Sequence, residues 1–357
     1  MKKYIGLLII LVVSVLCVAC SETVTEENTE SEVVSSAGNS ELVENESEEV
    51  VSEEESVSPS PNALKVELSG KAEESFTAEE DCYVEGEQVI IYIQSGVTIN
   101  QDVLTVTEDI MASLCEATGL SFDKKFEPDS DMSSRDMYFE EGAFTGLNED
   151  ATKVNVMIVN LEDGAVPWAW ENNAILDDED YDFELTGYQA IYHELTHVLQ
   201  FRNGVALGST LDEGYATYVS AKAQQADGIV PWSAMQYYYP YDFDDSVIFG
   251  GESSFHHAYN DREIPYQYGF RFVSFLMDTY GEDVYINILN EATEQGFNNS
   301  YDAENEEESM KEDTIQMIEI IKSQTSEDVF EQFIQWYNSK WSGKCQEFMD
   351  YTGIMNE

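Results

Sequence analysis

Positive charge is scarce in this chain. Its 357 residues hold 16 Lys and Arg against 72 Asp and Glu, a formal net charge of −56. A nucleic-acid binder needs a cationic surface to match the phosphates, so that class is excluded, and so is docking on anionic lipid headgroups. Long apolar runs are missing too. The most apolar stretch, Tyr4 to Ala19, has 16 residues, short of the about 20 that a membrane-spanning helix needs. Histidine is rare, with four in the whole chain, and no CxxC occurs among Cys82, Cys115 and Cys345, so a thiolate zinc site is not indicated. Against these absences stand 43% apolar and 12% aromatic residues, enough to build a core and to exclude wholesale disorder.

The N-terminus reads as an export signal. Met1-Lys2-Lys3 precedes the apolar run, which closes Leu16-Cys17-Val18-Ala19-Cys20. That ending resembles the lipobox of bacterial lipoproteins, in which a Cys behind a small residue is diacylated after cleavage. Cys17 stands where Leu is most usual. The resemblance implies lipidation of Cys20 and a position on the extracytoplasmic face of the cell membrane, with the lipid as the sole anchor. Residues 21 to 60 then hold 13 Glu and no Lys, Arg or aromatic residue. Such a segment cannot bury a core and repels itself, so residues 21–62 read as a flexible acidic tether. Residues 63–357 read as the folded domain. From residue 61 onward 59 acids face 14 bases, so the folded part keeps a charge of about −45. The three cysteines beyond the leader allow at most one internal disulfide and read more simply as small buried residues.

Periodicity predicts strands at 89–93 and 154–159. It predicts helices over 102–118 (stopping at Gly119), 184–200, 211–226, 266–280, 284–293, 314–322 and 329–340, with a charged loop at 302–313. Strands come early and helices late. The expected class is therefore α+β, a small N-terminal sheet subdomain followed by a mainly helical C-terminal part.

Two of the four histidines fall in His193-Glu194-Leu195-Thr196-His197, an HExxH pattern. On a helix, side chains at i and i+4 share one face, so the pair can grip one Zn²⁺ through imidazole nitrogens. Glu194, one residue on, can take a proton from the attacking water and hand it to a leaving amine. Zinc needs a third ligand and an open fourth position. A metzincin would supply Gly at 200 and His at 203, but this chain has Gln200 and Asn203, which excludes that route.

The segments His193 to Gln200 (HELTHVLQ) and Leu211 to Tyr218 (LDEGYATY) resemble the gluzincin peptidases, in particular the bacterial peptidase-MA-like group. That resemblance spans roughly residues 89 to 340. It implies a zincin-like fold with the HExxH helix between sheet and helical part, Zn²⁺ as cofactor, a peptide or protein substrate, and Glu213 as third ligand. Only residues 198–212 separate His197 from Glu213, so the connection must be tight. Two other readings stay open: Asp212 as the ligand, or Thr210 and Glu213 as a purely structural capping box. Tyr266-Gln-Tyr-Gly269-Phe-Arg-Phe272 resembles the helix that packs near the site in this group, which implies Tyr266 as hydrogen-bond donor to the oxyanion. His256 and His257 are the alternatives.

The strand 154–159 is expected to be the edge that pairs with an extended peptide, with Trp168 and Trp170 lining the cleft. The run Asp177 to Asp180 is a weak Ca²⁺ candidate without EF-hand spacing. The function expected is a membrane-tethered zinc metallopeptidase. Its rivals are a catalytically silent binding protein on the same fold and a hydrolase of non-peptide amides.

Overall fold

A computed structural model describes residues 63–124, 152–161, 167–177, 189–231, 234, 237–238, 244–260, 265–297 and 306–353. Strands β1 (Leu64–Lys65), β2 (Ser75–Thr77), β3 (Cys82–Glu85), β4 (Val89–Ile93) and β5 (Thr98–Asn100) lead into helix α1 (Val103–Thr118). Strands β6 (Val154–Val159), β7 (Trp168–Trp170) and β8 (Asn173–Asp177) follow. The rest of the described chain is helical: α2 (Gln189–Asn203), α3 (Ser209–Ala226), a 3₁₀ turn at Asp245–Gly250, α4 (Glu252–Asn260), α5 (Pro265–Tyr280), α6 (Val284–Glu294), α7 (Glu306–Gln324), α8 (Val329–Trp336), a π segment at Tyr337–Trp341, and α9 (Ser342–Thr352). The chain is thus a mixed α and β protein with a small sheet and a mostly helical remainder.

The main sheet has the order β1-β3-β4-β6-β8-β7. β4, β6 and β8 run parallel, and β7 runs antiparallel to β8. Side chains alternate across it because the strand period is two. Ile91, Val156 and Ala174 stand in register, as do Ile93, Ile158 and Leu176, and all six join the core shared with the helices. Ile90, Tyr92, Met157 and Ile175 point the other way and form a second, smaller cluster with Trp168. Each fully buried Ile or Val contributes about 1.5–3 kcal/mol, so two covered faces hold the three central strands in register.

This topology corrects two expectations. Strand 154–159 is interior, flanked by β4 and β8; among the described strands the last on that side is β7. Trp168 packs on the sheet face opposite the helices, so it does not line a cleft on the helix side. The side chain of Trp170 lies outside the described residues, as do residues 178–180 of the acidic run. The remaining member of that run, Asp177, accepts a hydrogen bond from the Leu161 amide at 3.0 Å.

The expected loop at 302–313 is also corrected, since α7 begins at Glu306. Glutamates are good helix formers and are stabilised at a helix N-terminus by its positive dipole end. A run of Glu there extends the helix. The helix expected at 329–340 widens into the π segment and continues as α9. Gly119 stops α1 as expected, with φ at 74° and its amide donating to the Cys115 carbonyl. Cys82, Cys115 and Cys345 are all free thiols. None of the described helices is long and apolar enough to cross a membrane.

Helix α2 rests on β7 and β8, and α3 packs against both α2 and α5. Ile191, Leu195, Val198 and Leu199 bury one side of α2 in the core. Its far end is tied by Arg202, which is 4% exposed. The Arg202 guanidinium donates to Asn172 Oδ1 at 2.8 Å and to the carbonyls of Phe122 and Lys124 at 2.5 and 2.8 Å. A five-residue connection, 204–208, turns the chain into α3.

Candidate metal centre

With Leu195, Val198 and Leu199 facing the core, the i, i+4 pair His193 and His197 emerges together on another side of α2. Their rings meet edge to face, with centroids 4.7 Å apart. The short turn into α3 brings Glu213 over the pair. Glu213 Oε2 lies 2.9 Å from His193 Nε2 and 3.2 Å from His197 Nε2, and the two Nε2 atoms are 3.1 Å apart. Among the described residues no other group of three His, Cys, Asp or Glu side chains converges in this way.

The donor set fits a zinc ion. Zinc with ligands at about 2.0–2.1 Å in tetrahedral array spaces them by about 3.3–3.4 Å. The observed triangle needs to open by only a few tenths of an ångström. Tyr266 stands nearby, 38% exposed, with its ring stacked at 29° and 6.4 Å from that of His193.

The charges fit the same picture in the metal-free protein. Burial drives the Glu194 carboxyl up, and the neighbouring histidines oppose this without cancelling it, so its pKa stays raised. Burial pulls the His197 imidazole down, but the charge and hydrogen bond of Glu213 overcome this and lift it to about 9. Burial raises Glu213, and the two histidines outweigh that, holding it well below the usual carboxylate range. Burial, then the charge of Glu213, raises the Tyr266 phenol, which therefore remains a hydrogen-bond donor.

Asp212 points elsewhere. Its Oδ2 accepts from the Leu207 and Gly208 amides at 3.0 and 3.1 Å, and its Oδ1 accepts from the Tyr285 hydroxyl at 3.1 Å. It therefore closes the turn between α2 and α3. The capping-box reading is corrected as well. Gly208 is the N-cap of α3 and has no side-chain cap, and Thr210 Oγ1 donates to the Ala258 carbonyl at 2.8 Å. Glu213 is left facing the histidines.

The E-G and Y-x-x-G segments acquire a physical meaning at the crossing of α3 and α5. A Cβ at Gly214 would collide with the backbone of Gly269, and one at Gly269 would collide with the Thr210 carbonyl. The two helices touch backbone to backbone, which sets Tyr266 beside the histidine pair. His256 is half-buried on α4, and the side chain of His257 lies outside the described residues. Of the three oxyanion candidates, Tyr266 is the one seen against the cluster.

Three supporting residues escaped sequence reasoning. Gln200 Oε1 lies 3.0 Å from His197 Nδ1, and Gln200 Nε2 donates to the Tyr285 hydroxyl at 2.6 Å. Gln200 sits three residues after His197, a spacing that places both on one helix side. Tyr285 and the anchoring role of Asp212 carried no local signal.

No family model matches the chain, and no curated protein matches it. Solved structures similar to it include an M1 zinc metallopeptidase from Deinococcus radiodurans. That protein is 14% identical, with 74% of this chain and 51% of that one covered and a TM-score of 0.40. The catalytic module of the metalloprotease ZmpA from Clostridium perfringens is 10% identical, with 75% and 48% covered and a TM-score of 0.36. The match spans about half the length of each.

Proposed function

We propose that this chain is a zinc metallopeptidase of gluzincin type with a zincin-like fold, tethered by a lipid on Cys20 to the extracytoplasmic face of the membrane. One observation carries the reading. Glu213 on α3 reaches both Nε2 atoms of the HExxH pair on α2, which makes a three-cornered set of donors. His193, His197 and Glu213 hold the metal. When bound there, zinc supplies a Lewis acid that makes water acidic enough to deprotonate near neutral pH.

The rest of the chemistry belongs to the side chains. Glu194 is 7% exposed, and its raised pKa suits a group that accepts a proton from water and releases it to the leaving amine. A binding-only protein has no need of such a shuttle, and this favours turnover over the silent reading. Tyr266 donates a hydrogen bond to the oxygen that gains charge at the scissile carbonyl. The substrate is an extended peptide.

The test is metal analysis joined to cleavage of a mixed peptide library. About one zinc per chain is expected, lost in His193→Ala and His197→Ala, together with zinc-dependent cleavage. Unchanged metal content in both variants would sink the reading.

The tether is tested separately. Cys20→Ser should move the protein from the membrane to the soluble fraction, because the lipid is its only anchor. Undiminished membrane association after fractionation would mean that Tyr4 to Ala19 stays as an uncleaved anchor.

A further inference from the structure

An imidazole can bind a metal through only one nitrogen at a time, and a hydrogen bond at the other decides which. His197 has such a partner inside the protein. Its Nδ1 lies 3.0 Å from Gln200 Oε1, on the side away from Glu213 and His193. The amide oxygen can only accept, so Nδ1 carries a proton, and in the neutral imidazole that binds a metal the lone pair is then on Nε2, the nitrogen on the side of Glu213.

The amide is itself oriented. Gln200 Nε2 donates to the Tyr285 hydroxyl at 2.6 Å, Tyr285 donates to Asp212 Oδ1 at 3.1 Å, and the Leu207 and Gly208 amides donate to Asp212 Oδ2. Every donor in this row meets an acceptor, and turning the Gln200 amide over would set its oxygen against the Tyr285 oxygen, whose proton goes to Asp212. Tyr285 is fully buried, and its ring is stacked on Tyr215 with centroids 3.6 Å apart at 8°. Burial and stacking hold the ring, and the hydrogen bonds at both ends hold the amide.

We propose that Gln200, held by Tyr285 and Asp212, is the positioning residue of the metal centre, fixing the His197 tautomer so that Nε2 faces the metal. This rests on the zinc-site reading above. The row also joins the two ligand-bearing helices, because Asp212 is the neighbour of Glu213 on α3. The same hydrogen bonds that fix His197 on α2 therefore hold Glu213 in register with it.

The experiment compares wild type with Gln200→Leu and Tyr285→Phe, using zinc affinity by competition with a chromophoric chelator and NMR of the histidine ring protons in the zinc-loaded protein. Gln200→Leu removes the acceptor at nearly constant volume, and Tyr285→Phe removes one hydroxyl while keeping the stacked ring. Zinc affinity should fall by about ten- to a hundredfold in Gln200→Leu, and by about three- to tenfold in Tyr285→Phe. The His197 Nδ1 proton, protected from exchange in the wild type, should exchange rapidly in Gln200→Leu. A merely structural role would not change that exchange. If Gln200→Leu fails to fold, the affinity and proton exchange of Tyr285→Phe decide alone. Wild-type affinity and a still-protected Nδ1 proton in the variants would overturn the proposal and leave the zinc site standing. A wild-type protein that takes up no zinc would overturn the zinc site itself.

Discussion

Replacing Glu194 by Gln should lower peptide-cleavage kcat by about 10²–10⁴-fold while zinc stays bound. The amide has the size of the carboxylate but cannot accept the proton that the attacking water must lose. Glu194 lies beside the histidine pair, nearly out of solvent, so bulk water has poor access to take its place. Because the proton moves in the chemical step, kcat and kcat/KM should fall together, with KM little changed. The measurement is steady-state cleavage of a peptide identified from the library, with metal content determined on the same preparations. Wild-type turnover in a zinc-loaded Glu194→Gln protein would reject the assignment of this residue.

Glu213→Ala should weaken zinc binding on the order of a hundredfold or more. Structural zinc sites bind with about 10–16 kcal/mol over four ligands, so one ligand is worth on the order of 3 kcal/mol, roughly two decades in Kd. Asp212→Ala should behave differently although it is the next residue. It removes the acceptor for the Leu207 and Gly208 amides and for Tyr285. Leaving such groups without partners costs about 1–3 kcal/mol of stability, while zinc affinity should fall by less than about tenfold, as in Tyr285→Phe, because the support of the ligands is loosened and no ligand is lost. Chelator competition and thermal unfolding of both variants, with and without metal, separate the two effects. A Glu213→Ala protein that binds zinc as tightly as wild type would move the third ligand elsewhere.

Features legible in the sequence were those that a few neighbouring residues decide. Val89–Ile93 reads as a strand and Asp102–Thr118 as a helix stopped by Gly119 because apolar period and a terminal glycine are local properties. The histidine pair is legible for the same reason: four residues make about one helical turn, whatever surrounds the helix. The run at 302–313 misled because a dense row of Glu satisfies two local rules at once, solvated loop and helix N-terminus. The outcome there depends on what the rest of α7 packs against.

Choices between equals fell to the tertiary structure. Adjacent helical residues point about 100° apart, so Asp212 and Glu213 take different partners, but nothing local says which of them faces α2. That was decided by the five-residue turn at 204–208 and by Tyr285, which lies 73 residues beyond Asp212. The edge of the sheet was decided in the same way. Strand 154–159 and β7 each offer backbone groups, and only pairing with β4 and β8 assigns the first to the interior. By itself, then, the sequence determined the chemistry available here: two imidazoles and a carboxylate on one helical turn, in a chain with a large excess of acidic side chains. Only the tertiary structure decided which distant carboxylate meets the histidine pair, which tyrosine stands beside it and which side chains hydrogen-bond behind it. Those decisions rest on contacts between residues far apart in the chain, whose closeness no local pattern encodes.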